Sequence, residues 1–364
     1  MSRDARTGPG RDGGAPGKAS GSARRSAAAS RAGASGSTPA GARRRAAAAT
    51  GRPADDGWSD GLVVGAIRPA ARLTGVLLVL AALAGIAAIF PTYLVVGGQE
   101  LSSATGFGGV LAALLVPVAN LAVGISLVRG AVPKFGLAYA GVVGALALGQ
   151  LLIEIYRGSS STARPGVEVI AGARVLTSSV DIGAGWALGV AALALVVLAG
   201  VVAVAAWGRT VMEDGGALDP VRSGLAGAAV LLGVATVLCL ALPAADVPDQ
   251  LVTDPTTGME TVVTREGPQA LLERPGMALL GGLLLAGAVV LCSVVAPSLR
   301  PRLAAVGGLL AISVTVLAAA MTGLRDAVSS PDLEWTVPGA GLVVTGLGYA
   351  ALTVLAWRLR RNRT

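Results

Sequence analysis

Histidine is absent from this chain, and with it the commonest metal ligand and the side chain best suited to proton transfer near neutral pH. Cysteine occurs twice, as Cys239 and Cys292. Both fall inside apolar runs at different depths, so a disulfide is not expected, and two thiols are too few for a cysteine-held metal. They read as small apolar fillers. Lysine is nearly missing, with only Lys18 and Lys134, and aromatic residues make up 3% of the chain. Charged residues make up 14%, against about 25% in a soluble domain. No G-x-G-x-x-G fingerprint follows a strand, which leaves no nucleotide loop to argue for. No cofactor and no metal are expected.

What remains is apolar and small. Hydrophobic residues make up 53% of 364, Gly and Ala are abundant, and nearly all the basic residues are Arg. That bias is the one expected of a GC-rich genome of actinobacterial type. The apolar residues form runs too long for globular strands or core helices. A membrane-crossing helix needs about 20 such residues, and eight runs qualify: roughly 73–95, 108–128, 134–156, 185–207, 223–243, 276–296, 303–323 and 339–357. The expectation is an all-α integral membrane protein with eight transmembrane helices.

Residues 1–61 contain almost no large apolar side chain and cannot bury enough surface to offset their ordering entropy, so they read as a disordered arm. No apolar h-region follows within the first 30 residues, so neither a cleaved signal peptide nor a twin-arginine signal is expected. Ten Arg and one Lys stand against five Asp there, a net charge of +6. Such an arm can meet anionic lipid headgroups at about 1 kcal/mol per residue near the surface, or serve as a solvated tail that enforces topology. Specific nucleic-acid binding is not expected, because no aromatic residue is interleaved with the Arg until Trp58.

Basic residues set the orientation. With the N-terminus inside, 23 of the 29 Lys and Arg fall on inside segments and six on outside segments. Every short inside connection carries two of them, and the outer loops are acidic. The expected localisation is a cell membrane, multi-pass, with both termini cytoplasmic and the lipid bilayer as first partner.

Two halves show the same order of features. Pro91 and Pro243 close the first and fifth runs. The fourth run opens with Gly183-Ala184-Gly185 and ends at Trp207, with Arg209 beyond; the eighth opens with Gly339-Ala340-Gly341 and ends at Trp357-Arg358. This predicts two parallel four-helix units, 62–209 and 210–364, behind the arm, related by a pseudo-two-fold along the membrane normal. Gly183, Gly185, Gly189, Gly339 and Gly341 are then a packing device of small residues. Trp207 and Trp357 are interface anchors at the headgroup level. Pro117, in mid-span, is expected to kink the second helix.

Few polar residues lie within the runs. Asn120 lies in the inner half of the second, and Gln150 and Glu154 lie toward the outer end of the third. Asn120 and Gln150 suit either interhelix hydrogen bonds or a substrate path. Glu154 is expected at the interface beside Tyr156 and Arg157, with a buried acid as the alternative. Thr236, Ser313 and Thr315 can bond their own helix backbones. Outside, 166–179 and 250–266 alternate apolar and polar residues around turn-forming stretches and read as β-hairpins. Residues 268–276 suit one helical turn on the interface. Asp246, Asp249, Asp254 and Glu260 could hold a hard cation, though they also suit a solvated acidic loop. Asp326, Asp332 and Glu334 flank Trp335 and suit docking or helix anchoring. No carboxylate pair or Ser or Cys nucleophile with a base demands catalysis. The sequence favours a non-catalytic envelope scaffold or accessory subunit with membrane or envelope protein partners. The alternative is a transporter or lipid flippase-like protein with a pathway between the two units.

Overall fold

The structure is a computed structural model that describes residues 62–64, 69–96, 99–102, 104, 106–159, 167–170, 173–176, 180–214, 220–246, 250–253, 260–263, 276–329 and 334–359. The expectations for the arm at 1–61, for the helical turn at 268–276, and for Asp249, Asp254 and Asp332 fall outside these residues. Eight helices are present among the described residues: α1 (Pro69–Ala87), α2 (Gly106–Arg129), α3 (Pro133–Ser159), α4 (Ala184–Trp207), α5 (Arg222–Ala241), α6 (Met277–Ser298), α7 (Arg302–Ser329) and α8 (Val337–Arg358). All eight are long and apolar enough to cross a membrane. At 1.5 Å per residue the shortest, with 19 residues, spans close to the ~30 Å of a hydrocarbon core. The chain is a multi-pass helical membrane protein.

The helices begin and end where local chemistry dictates. Pro69 and Pro133 each stand at a first helical position, where the missing N–H has no helical acceptor to lose. Thr336 caps α8 by accepting from Gly339 N. Between α2 and α3, Gly130 turns the chain at φ +72°, in the left-handed region that favours glycine. α2 runs continuously through Pro117, whose ring packs on Gly85 of α1. The first helix is shorter than its apolar run. It stops at Ala87, and residues 94 and 95, read from the sequence as helix, belong to a strand, Leu94–Val96, beyond Pro91.

Helix pairing is regular. In the first half α1 packs on α2 and α4, and α3 packs on α4; in the second half α5 packs on α6 and α8, and α7 packs on α8. Between the halves α3 runs against α6 and α7, while α2 runs against α7. The same pairings therefore recur in the two halves. α3 and α7 form the centre, with 67% and 78% of their spanning windows buried, against at most 39% for any other helix. Leu137, Leu146, Leu309 and Ile312 fill it. Backbones touch where glycine removes the side chain: a Cβ on Gly144 of α3 would lie 2.7 Å from the Gly200 Cα of α4.

Short strands close the helix ends. β1 (Leu62–Val64) pairs with β7 (Met212–Asp214), joining the chain before α1 to the chain after α4. At the opposite end β2 (Leu94–Val96) lies between β3 (Gln99–Leu101) and β6 (Val180–Ile182). β8 (Ala245–Asp246) pairs with β11 (Glu334–Trp335). Both hairpins expected from the alternation are formed on this end. β4 (Val167–Ile170) pairs with β5 (Ala173–Leu176), and β9 (Gln250–Thr253) pairs with β10 (Glu260–Val263), all antiparallel. This end is called the hairpin face below.

Candidate functional site

The last turns of α3 present Gln150, Glu154 and Arg157 at spacings of four and three residues, which places them on one helical face. That face borders a cavity of about 350 Å³ at the hairpin end of the bundle. Its apolar wall includes Leu193 of α4, Leu285 of α6 and Leu342 of α8; Cys239 and Pro243 come from the end of α5, and Thr322 and Asp326 from α7. Every helix of the second half reaches it, together with α3 and α4 of the first.

Glu154 is held from three sides. The Tyr93 hydroxyl, from the turn before β2, donates to Glu154 Oε1. Arg157 Nη1 stands 3.5 Å from Oε2, an ion-pair distance rather than a tight hydrogen bond. Trp186, in the first turn of α4, donates Nε1–H to the Glu154 backbone carbonyl at 2.9 Å. The Glu154 side chain is 15% exposed, whereas that of Arg157 is 48% exposed. Burial and the neighbouring Glu154 carboxylate raise the Tyr93 pKa above its ordinary value, against the opposing pull of Arg157. Tyr93 therefore stays protonated and serves as a donor. Across the cavity, Arg325 Nε donates to Asp326 Oδ1 at 2.8 Å.

The three polar residues singled out within the runs separate into two groups. Gln150 and Glu154 line the cavity. Asn120 does not; it is 2% exposed, and its Oδ1 accepts from Tyr139 Oη of α3 at 2.9 Å. The second half holds a hydroxyl cluster that the sequence reading missed. Tyr349 Oη lies 2.6 Å from Ser293 Oγ and 3.0 Å from the Ala229 carbonyl, linking α8 to α6 and α5. The only sequence signal was a tyrosine in mid-span. Thr236 and Thr315 bond their own helices, but Ser313 reaches the Gly346 carbonyl of α8.

The glycines at the helix starts sit against the ends of the paired helices. A Cβ on Gly183 would strike the Thr92 carbonyl, and one on Gly339 would approach the Ala244 carbonyl at 2.5 Å; Thr92 follows Pro91 just as Ala244 follows Pro243. Gly185 faces the Pro91 carbonyl, and Gly341 faces Cys239 Sγ. A Cβ on Gly189 meets nothing within 4 Å, unlike those on the other four glycines of the expected packing motif. Trp207 has the Lys134 Nζ over its ring at 5.6 Å. Trp357 is exposed. Among the described residues no group of three or more His, Cys, Asp or Glu could hold a metal ion. Glu334 pairs across from Asp246 in the β11–β8 strand pair. No protein-family model, curated protein or solved structure matches the chain.

Proposed function

We propose that this protein is a non-catalytic membrane scaffold or accessory subunit of a membrane complex. It holds partners through its hairpins, on the outer side, and through the basic arm at 1–61, on the cytoplasmic side. The observation that carries this reading is the seam between the halves. A Cβ on Gly149 of α3 would lie 2.6 Å from the Gly281 carbonyl of α6, and Gly307 of α7 abuts the Phe135 carbonyl of α3. Asn120, a buried polar group near that seam, is occupied by Tyr139. A seam closed at backbone distance suits a rigid support better than a moving conduit. The recurring helix pairings support reading the bundle as two parallel four-helix units, 62–209 and 210–364.

The excess of Lys and Arg on the segments that hold both termini supports a cytoplasmic placement for them. The arm then lies beside anionic headgroups of the cell membrane. Site-specific photo-crosslinking from 163–181 and from 1–60 tests the scaffold reading. It predicts discrete protein adducts that disappear when the corresponding segment is deleted, while the bundle still inserts. Crosslinks to lipid alone from both segments would contradict it. A transporter or flippase-like role is the second reading, favoured by one observation: Gln150 and Glu154 share a cavity that both halves line.

A further inference from the structure

At the end of the bundle opposite the hairpin face we infer a binding site for an anionic phospholipid headgroup, its phosphate taken by Arg129, Lys134 and Arg209 beside the Trp207 ring. The site is separate from the cavity. It depends neither on the scaffold reading nor on which compartment this end faces.

Three helix ends meet there. α2 ends at Arg129 and α3 begins at Pro133. Gly136, in the first turn of α3, abuts the Leu127 side chain, so Arg129 and Lys134 flank one tight turn. α4 ends at Trp207, and the Lys134 Nζ over that ring ties the end of α4 to the same turn. Arg209 follows two residues later. Lys134 is half-buried and is the only lysine among the described residues. The indole fixes where its ammonium sits but offers no oxygen acceptor, so the N–H donors remain available. No acidic residue in the first turn of α3 offsets this charge at the positive end of the helix dipole.

The other half shows a filled version of the same turn. Arg302 follows Pro301 just as Lys134 follows Pro133. Arg300 and Arg302 both engage other groups of the protein, and Arg302 is 3% exposed. The side chains of Arg129, Lys134 and Arg209 make no hydrogen bond or ion pair to any described residue, and Arg129 and Arg209 are exposed. Three cations are thus left for an anion from outside the chain. Apolar surface leads directly to them: Val128 precedes Arg129, and Val204 lies one turn before Trp207, both exposed. Exposed valines ending in an indole and a basic rim match the boundary between hydrocarbon and headgroups. A phosphodiester carrying acyl chains meets both parts, with charge-assisted hydrogen bonds to its phosphate. A nucleic acid or an acidic peptide would leave the valines uncovered. A zwitterionic head would bring a like charge to the cluster, which favours a lipid of net negative charge.

Native mass spectrometry of the full chain, loaded with equimolar phosphatidylglycerol and phosphatidylcholine of identical acyl chains, tests the inference. The wild type should retain phosphatidylglycerol in preference by about tenfold or more. Lys134→Gln and Arg209→Gln should each lower that preference by about fivefold, while Lys134→Arg keeps it. Arg358→Gln, which removes an exposed cation at the same end of the other half, should leave it unchanged. The thermal unfolding midpoint shows which variants remain folded, and either folded Gln variant of the site suffices for the comparison. No preference in the wild type would overturn the inference. So would a preference untouched by Lys134→Gln and Arg209→Gln, which would put the lipid on the basic arm, or an equal loss in Arg358→Gln, which would reduce the effect to overall charge. Soluble glycerol 3-phosphate bound as tightly as the lipid would assign the site to free phosphate compounds and overturn it as well.

Discussion

The contact between α1 and α2 and the contact between α5 and α6 occupy the same place in their halves and are closed by different chemistry. In the first, Gly75 and Gly124 bring backbone onto backbone: a Cβ on Gly75 would lie 2.8 Å from the Gly124 carbonyl oxygen. In the second, Gly233 faces a side chain, with a Cβ there lying 2.6 Å from Ser293 Oγ. Ser293 belongs to the hydroxyl cluster that also takes in Tyr349 and the Ala229 carbonyl. One packing plan is thus met once by removing side chains and once by hydrogen bonding. The first solution is rigid, since a carbonyl in a helix cannot step aside. The second is a contact with a side chain, Ser293 Oγ at 2.6 Å and its Cβ at 2.9 Å, and a side chain can shift further than a helix carbonyl.

That difference sets an order of expected effects. Gly124→Leu forces α1 and α2 apart and should cost about 3 kcal/mol, read as a large drop in the unfolding midpoint in detergent. Gly233→Ala, whose Cβ would lie 2.6 Å from Ser293 Oγ and 2.9 Å from the Ser293 Cβ, should cost about 2 kcal/mol; equal losses for Gly124→Ala and Gly233→Ala would erase the contrast. Tyr139→Phe comes next within the first half. It strips Asn120 of its Tyr139 partner at a buried site, at about 1–2 kcal/mol. Tyr349→Phe should be milder, near 0.6 kcal/mol, because Ser293 keeps the Val289 carbonyl at 2.6 Å. A double-mutant cycle of Asn120→Ala with Tyr139→Phe measures the coupling directly. At the small end, Gly189→Ala should leave stability unchanged within error, while Gly183→Ala, which meets the Thr92 carbonyl, should not.

How much of this could be read beforehand follows from the range of each interaction. The eight helices were legible because each is one uninterrupted apolar run, and a run is local. The end of the first was not, because Tyr93-Leu94-Val95-Val96 continues the apolar composition past Pro91; pairing with β6, more than 80 residues later, makes it a strand. The β1–β7 pair was invisible for the same reason, each member being only three residues long. Within the site, Gln150, Glu154 and Arg157 could be placed on one face from spacing alone. Their partners could not. Tyr93 lies 61 residues from Glu154 in sequence, and Asp326 comes from the other half of the chain. Asn120 looked equivalent to Gln150 in sequence, and only the position of Tyr139 on the adjoining helix separates them.

The central claim is that the bundle is closed at its seam by backbone contacts and carries its cavity at the hairpin face. Thiol accessibility at positions 120, 150 and 154 tests it most directly, with single cysteines introduced in a Cys239→Ala, Cys292→Ala background and reacted in sealed vesicles with a small water-soluble reagent. The account predicts that Gln150→Cys and Glu154→Cys react from the hairpin side alone and that Asn120→Cys stays protected from both sides. Reaction of all three positions, with Asn120→Cys reached from the opposite side, would reveal a continuous wet path and contradict the scaffold reading in favour of transport.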